Sequence, residues 1–382
     1  MDFTLTDEQK SLREQIVRFA RKELSPGAAD RDAGHVFSRE LWRKCAEMGL
    51  QGLPIPQDYG GTGLDAVSTV IAIDALGYGC EDNGLVFSIC AHMLACAVPL
   101  WLYGSEEQKR HYLPRMCSGE LVAVNAMTEP ESGSDAFALR TRAVAVDGGF
   151  AITGNKVFGS NCPVADVAIV YAATDAAKGF LGGVTGFIVP MDTDGCRRGQ
   201  TFEKMGLRTC PIGELILDDA RLGAGAVLGK AGGGGPIFAR SMEWERICLV
   251  AAHCGHMERL IDQCVAFAKT RVSFGNPIAK YQAISHRIAD MKVRLEASRL
   301  LTYRAAAQLN RKSSLGMDAA ITKLFVSEAL VQTARDAMQI FGGNGYMVDY
   351  GIERSVRDSL AATIYSGSSE MQRNIIANWL GL

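Results

Sequence analysis

Apolar residues recur at helical spacing through the first third of the chain. Thr6 with Gln9 fits a capping box. Leu12, Ile16, Phe19 and Ala20 follow at i, i+4, i+7 and i+8, which is an amphipathic stripe. Ser25-Pro26-Gly27 stops that helix. A second helix is predicted over 38–48, ended by Gly49, and further helices over 65–79, 85–98 and 105–117. Near residue 120 the period changes. Segments 121–124, 143–146, 150–152, 167–171, 185–189 and 214–217 read as short strands, separated by turn signals such as Asp147-Gly148-Gly149 and Asp194-Gly195. The Gly-rich stretch 232–235 reads as an interdomain linker. Beyond it helical stripes return, with Ile284, Ile288, Met291 and Leu295, then Ile321, Leu324 and Phe325. The second stripe weakens at Glu328 and Ala329 and stops at Gly342-Gly343. The predicted order is α, then β, then α, an α+β chain with edges near 120 and 233: domains 1–119, 120–232 and 233–382.

Composition narrows the function classes. A chain of 382 residues suits two or three domains. Forty basic against 42 acidic residues leave a charge of −2, which argues against nucleic-acid or anionic-membrane binding. The eleven Cys form no CxxC pair, and His253 and His256 beside Cys254 have no second ligand pair, so neither a structural metal nor a disulfide framework is expected. Free thiols suggest a reducing cytoplasm. Met1-Asp2-Phe3-Thr4 shows no apolar signal segment. Segment 85–103 carries no charge, but its Ser, His and Pro and the lack of a flanking basic cluster favour a buried helix over a membrane span.

No GxSxG or Walker A motif is present, and Gly223, Gly225 and Gly229 only approach GxGxxG outside a βαβ context. His111 and His286 read as structural residues. Two loops stand out. Thr128-Glu129-Pro130-Glu131-Ser132-Gly133-Ser134-Asp135 is an ordinary polar turn by composition, yet its backbone could face an anion or a flavin edge. Gln339 to Tyr346 ends a helix in consecutive Gly, which reads first as a C-cap.

Taken with their neighbours, these segments acquire a family likeness. Ala126-Met127-Thr128-Glu129-Pro130 with Gly133-Ser134-Asp135, and Gly154-Asn155-Lys156-Val157-Phe158-Gly159-Ser160-Asn161, resemble the β-domain of acyl-CoA dehydrogenases. Arg271-Val272-Ser273-Phe274-Gly275 with Gln282, then Gln339 to Gly345, then Tyr365-Ser366-Gly367-Ser368-Ser369-Glu370-Met371-Gln372-Arg373 continue the family's motif order across nearly the whole chain. The resemblance implies an N-terminal helical domain, a middle β-domain and a C-terminal four-helix bundle. It also implies noncovalent FAD, usually in a homotetramer. Met127, Thr128, Gly133 and Ser134 would line the flavin, with Phe158 and Ser160 beside its ring; the family usually has Trp where Phe158 stands. Arg271, Phe274 and Gln282 would reach the FAD of a neighbouring subunit. Gln339, Gly342 and Gly343 would meet its pyrophosphate or adenine side, and Ser368 and Glu370 would hold it elsewhere.

The reaction implied is α,β-dehydrogenation of a thioester, in which a carboxylate removes the α-proton and a hydride leaves to the flavin. Most relatives carry the base directly before the Gly of the C-terminal motif, where this chain has Ser366. A hydroxyl cannot replace it, although the Ser366 backbone N–H can still serve the thioester carbonyl. A minority of the family places the base earlier, before an Arg, and Glu245-Arg246 matches that arrangement. A lone helical Glu is ordinarily a solvated carboxylate; the missing Glu at 366 makes Glu245 the expected base.

Gly84 to His92, Gly179 to Gly182, Ser241 to Glu245 and Ile364 to Gly367 resemble the subgroup that oxidises prolyl groups on peptidyl carrier proteins in pyrrole-forming pathways. Lys204-Met205-Gly206-Leu207-Arg208 instead looks like ordinary acyl-CoA dehydrogenases. The expected substrate is therefore an aminoacyl, prolyl, thioester on a carrier, contacted by His92, Ser134, Arg246 and Gly367, with phosphopantetheine passing Ser134 and His92 and an acidic carrier meeting Arg197 and Arg198. The alternatives are a branched- or short-chain acyl-CoA dehydrogenase, a flavin monooxygenase or oxidase of the same fold, and a non-catalytic flavin-binding scaffold. The acceptor, electron-transfer flavoprotein or dioxygen, stays open.

Overall fold

The helix Asp7–Phe19 starts where its capping box closes: Thr6 accepts from the Gln9 N–H, and the Gln9 side chain returns to the Thr6 N–H. This computed structural model describes residues 4–136, 138–309, 311 and 315–382; Met1, Asp2 and Phe3 of the polar N-terminus lie outside them. The helix Ala66–Gly79 is mostly apolar and largely buried, with Asp74 as its buried charge. It crosses the long helix Val250–Thr270 through two glycines. A Cβ on Gly77 would lie 2.2 Å from the Ala252 carbonyl oxygen, and one on Gly255 would lie 2.0 Å from that of Asp74. Arg299 clamps Asp74 with two bonds of 2.8 Å, tying the third helix layer to the same crossing. Segment 85–103 is helical inside Asn83–His92, Met93–Ala97 and Val98–Tyr103, and it is mostly buried in the core.

The middle region is an eight-stranded sheet: β1 (Ala123–Ala126), β2 (Arg142–Val146), β3 (Gly149–Ser160), β4 (Val167–Ala173), β5 (Val184–Pro190), β6 (Cys196–Phe202), β7 (Ile212–Gly223) and β8 (Val227–Leu228). Their order is β6-β7-β3-β2-β4-β5-β8, with β1 parallel to β4. The first strand begins two residues later than its apolar run suggests, because Leu121 and Val122 pack into the core before pairing starts. β6 reads as Cys-Arg-Arg-Gly-Gln-Thr-Phe, a polar edge with no strand-like pattern, and was not predicted. The Gly-rich stretch is not a linker along its length: Gly234 and Gly235 are buried and open the helix Gly234–Trp244.

The remaining chain builds the C-terminal helices. Val250–Thr270, Gln282–Leu309, Gly316–Phe341 and Ser369–Trp379 are its longest members. Gly316–Phe341 runs unbroken past Glu328, where the stripe weakens, and ends at Gly342 with φ 58°.

Candidate active site

Glu245 opens a π-helical turn, Glu245–Leu249, set between the helices Gly234–Trp244 and Val250–Thr270. Such single-turn bulges re-aim side chains and recur at functional positions. A second π-turn, Met93–Ala97, packs against it. The Glu245 side chain is buried, and the Ser366 hydroxyl donates to its Oε1. Burial, the largest influence, pushes the carboxyl up, while the Ser366 bond and the charges of Arg246 and Lys323 work against it.

Ser366 and Gly367 have φ of 54° and 88°, two left-handed residues in succession. Their carbonyls are held by side chains from the interior. Arg246 Nε and Gln372 Nε2 donate to the Ser366 oxygen at 2.8 and 3.2 Å, and Gln372 Nε2 and Lys323 Nζ to the Gly367 oxygen at 2.7 and 2.8 Å. Among the described residues, neither the Ser366 nor the Gly367 N–H donates to a protein group. A turn that satisfies its acceptors and leaves two donors open beside a carboxylate suits an oxygen that gains negative charge. The φ of 88° favours Gly at 367, and a Cβ there would also press on Gln372 Nε2 at 2.7 Å.

The Tyr365 hydroxyl and His253 Nε2 share a hydrogen bond of 2.7 Å, and the Tyr365 ring packs against Phe87, centroids 4.7 Å apart. Burial, then Lys323, pushes His253 down to about 3, so the imidazole is neutral. A cavity of about 30 Å³ lies among Phe87, Cys90, Leu249, Ala252, His253 and Tyr365. His256 bonds Ser355 Oγ at 3.0 Å.

The residues matched to flavin contact lie on separate elements. Met127 follows β1, and its carbonyl accepts from Lys156 Nζ at 3.1 Å; the Thr128 carbonyl accepts from the Val157 N–H at 2.9 Å. Lys156 also pairs with Glu129 Oε1 at 2.7 Å, and the Glu129 carboxylate accepts from the Arg140 and Thr141 N–H groups. Burial works to raise Glu129, but Lys156 and these bonds prevail and hold it below the usual carboxylate range. Gly133 and Ser134 sit exposed at the loop tip. A register shift in β3 gives Phe158 a φ of 58° and turns its ring outward, 59% exposed, against Phe202. Ser160 closes β3. Arg271, Phe274 and Gln282 are exposed in and beside a short hairpin, and Gln339, Gly342 and Gly343 are exposed at the end of the helix Gly316–Phe341. Ser368 caps the helix Ser369–Trp379, accepting from the Met371 N–H at 3.4 Å, and Glu370 is exposed in its first turn. Exposed hydroxyl and backbone donors, the open Phe158 ring, Arg271 and a capped helix N-terminus form a set that fits an isoalloxazine and a pyrophosphate.

The structure brings Glu245, Arg246, Ser366 and Gly367 together, but not His92. His92 is fully buried, its Nδ1 accepts from the Ala123 N–H at 3.0 Å and its Nε2 faces the Met116 carbonyl at 3.2 Å. Both ring nitrogens are committed to backbone, so the residue ties a helix to β1. That leaves His92 no free ring nitrogen for the expected substrate contact, and its burial tells against a phosphopantetheine path beside it. Lys323, Gln372, Glu129 and Lys156 were not singled out from sequence as site residues. Lys323 had a signal: it falls on the small, buried face of its helix, with Ala319 and Ala320 one turn before it.

The acyl-CoA dehydrogenase N-terminal domain matches residues 6–120, the middle domain 125–220 and the C-terminal domain 232–381. An L-prolyl-[peptidyl-carrier protein] dehydrogenase of Pseudomonas fluorescens is 44% identical over all of both chains. One of the same description from a Serratia species is 40% identical over 100% of this chain and 99% of its own. A solved structure described as PigA with FAD and proline superposes with a TM-score of 0.97 at 40% identity, covering 100% of each chain. The chain belongs to the acyl-CoA dehydrogenase family.

Proposed function

We propose that this FAD-dependent acyl-thioester dehydrogenase oxidises a prolyl group carried as a thioester on a peptidyl carrier protein, giving a pyrroline and, with a second oxidation, a pyrrole thioester. The full-length likeness to two carrier-protein prolyl dehydrogenases supports the substrate class. Glu245 is the base. Its carboxylate takes the α-proton, and the open N–H groups of Ser366 and Gly367 receive the thioester oxygen as negative charge develops there. The Ser366 hydroxyl fixes the Glu245 carboxylate, and Arg246 fixes the turn. Burial keeps the site dry, which strengthens these donors. FAD, held by Met127, Thr128, Gly133, Ser134, Phe158, Ser160, Ser368 and Glu370 and by Arg271, Phe274, Gln282, Gln339, Gly342 and Gly343 across a homotetramer, supplies when bound the acceptor for the hydride leaving the adjacent carbon. The reading includes a cytoplasmic enzyme and an electron-transfer flavoprotein or dioxygen as final acceptor.

The observation that carries this reading is the buried Glu245 carboxyl on Ser366, beside a turn with two unpaired donors. The test is anaerobic mixing of the holoenzyme with an L-prolyl carrier-protein thioester and, separately, with isovaleryl-CoA. The expected result is flavin bleaching and loss of two hydrogens from the prolyl thioester. Bleaching by isovaleryl-CoA alone would establish the catabolic reading, and bleaching by neither would leave a scaffold.

A further inference from the structure

Lys323 lies on the helix Gly316–Phe341, and its ammonium is nearly inaccessible. A buried Lys is costly unless its charge is used. Its hydrogen bond among the described residues goes to the Gly367 carbonyl at 2.8 Å. That carbonyl belongs to the left-handed pair Ser366–Gly367, a conformation that persists only where its surroundings enforce it. The enforcement comes from three side chains: Arg246 on the Ser366 oxygen, Gln372 on both oxygens, and Lys323 on the Gly367 oxygen. A trans peptide points its N–H opposite its carbonyl. Holding the Ser366 oxygen on Arg246 and Gln372 therefore turns the Gly367 N–H away from those two side chains.

We propose that Lys323 is a positioning residue of the dehydrogenation site: through the Gly367 carbonyl it locks the turn that seats the Ser366 hydroxyl on Glu245 and presents the turn's free N–H groups. This inference rests on Glu245 being the base. The surroundings of Glu245 make the Lys323 charge count. Arg246 stands on its own turn, Ser366 and Tyr365 come from the turn, Cys90 and Cys96 from the facing helical segment, Tyr171 from β4, and Lys323 from the bundle. Burial keeps the thiols and phenols protonated, with Cys90 pushed up to about 12. Arg246 and Lys323 are thus the cations that favour the ionised base. Lys323 in turn faces Arg246, Glu245, Glu370, Glu328 and His253.

The experiment compares kcat and KM against pH for the holoenzyme and its Lys323→Met, Lys323→Gln and Lys323→Arg variants, with FAD content and Tm recorded, using whichever thioester bleaches the wild-type flavin. Lys323→Met lowers kcat by about tenfold or more, as for loss of a charged hydrogen bond, and displaces the acid limb of the kcat profile to higher pH while bound FAD and KM hold. Lys323→Arg restores the limb. Should Lys323→Met not fold, Lys323→Gln carries the same test, since its neutral amide keeps a donor and loses the charge. An acid limb unchanged in the neutral variants, or a loss accounted for by FAD content alone, overturns the proposal. Glu245→Gln is run beside them. Wild-type turnover in that variant would remove the base assignment itself, which is separable from a Lys323 result.

Discussion

Burying a carboxyl costs free energy in its ionised form, so Glu245 pulls stability and activity in opposite directions. Its folded-state pKa lies above the ordinary 4.5. The unfolded chain therefore releases this proton first as pH rises, and stability declines from about pH 4.5 up to the raised value and stays lower above it. Glu245→Gln removes that cost. The variant should bind FAD, melt at or above the wild-type temperature at neutral pH by calorimetry, and lose about 10³-fold or more in kcat, since proton abstraction then lacks its base. Wild-type activity would refute the role. Ser366 acts on the same group from the other side. Its hydroxyl stabilises the charged form, so Ser366→Ala should move the acid limb of the pH–rate profile upward and lower turnover about tenfold, the scale of one charge-assisted hydrogen bond. Glu245 was legible through family likeness and the Ser at 366. The groups that hold the turn were less so: the buried helix face marks Lys323 as unusual but not its target, because Lys323 and Gln372 meet the turn through backbone carbonyls, which no side-chain pattern records. His92 misled for the converse reason: its likeness lay in local sequence, while its neighbours Ala123 and Met116 take both nitrogens.

At the scale of elements, β1 and β3 act as one unit around Lys156 and Glu129. The pair is almost wholly buried, and it pins the Met127 carbonyl and the loop that follows it. Removing one partner leaves an uncompensated charge, whereas removing both leaves none. Lys156→Met should thus lose about 3–5 kcal/mol in urea unfolding and retain less FAD, and adding Glu129→Gln should recover part of the stability. A double variant no better than the single one would show that the pair contributes through packing alone. Helices with caps and stripes, such as Asp7–Phe19, could be read directly from the chain. β6 could not, since an edge strand needs no apolar face. The π-turn at Glu245 was equally hidden: one extra residue per turn barely alters the apolar period, yet it decides where the carboxyl points.

Over the whole molecule, the exposed apolar surface is unevenly placed. Phe274 is 93% exposed, and Tyr346, Val348, Ile364, Trp379 and Leu382 are also largely open, all on the C-terminal helices and their connections. Single exposed apolar residues are ordinary, so the case for a covered surface rests on Phe274, the most exposed of them. The proposed homotetramer would cover Phe274 and would place Arg271, Phe274 and Gln282 of one subunit against the FAD of another. Phe274 stands on a left-handed backbone with φ 48°, beside Gly275 at φ 80°, a tight turn that projects the ring away from its own chain. Phe274→Asp keeps that turn feasible, because Asp tolerates left-handed conformations, but it introduces a charge where a subunit contact would have to exclude water. Light scattering should then show a mass below the tetramer, and the purified protein should carry less flavin in proportion, with each monomer's melting otherwise little changed. Dissociation with full FAD retention would place the cofactor wholly within one chain. An intact tetramer with lost FAD would instead confine Phe274 to the cofactor site and leave assembly to the remaining apolar surface.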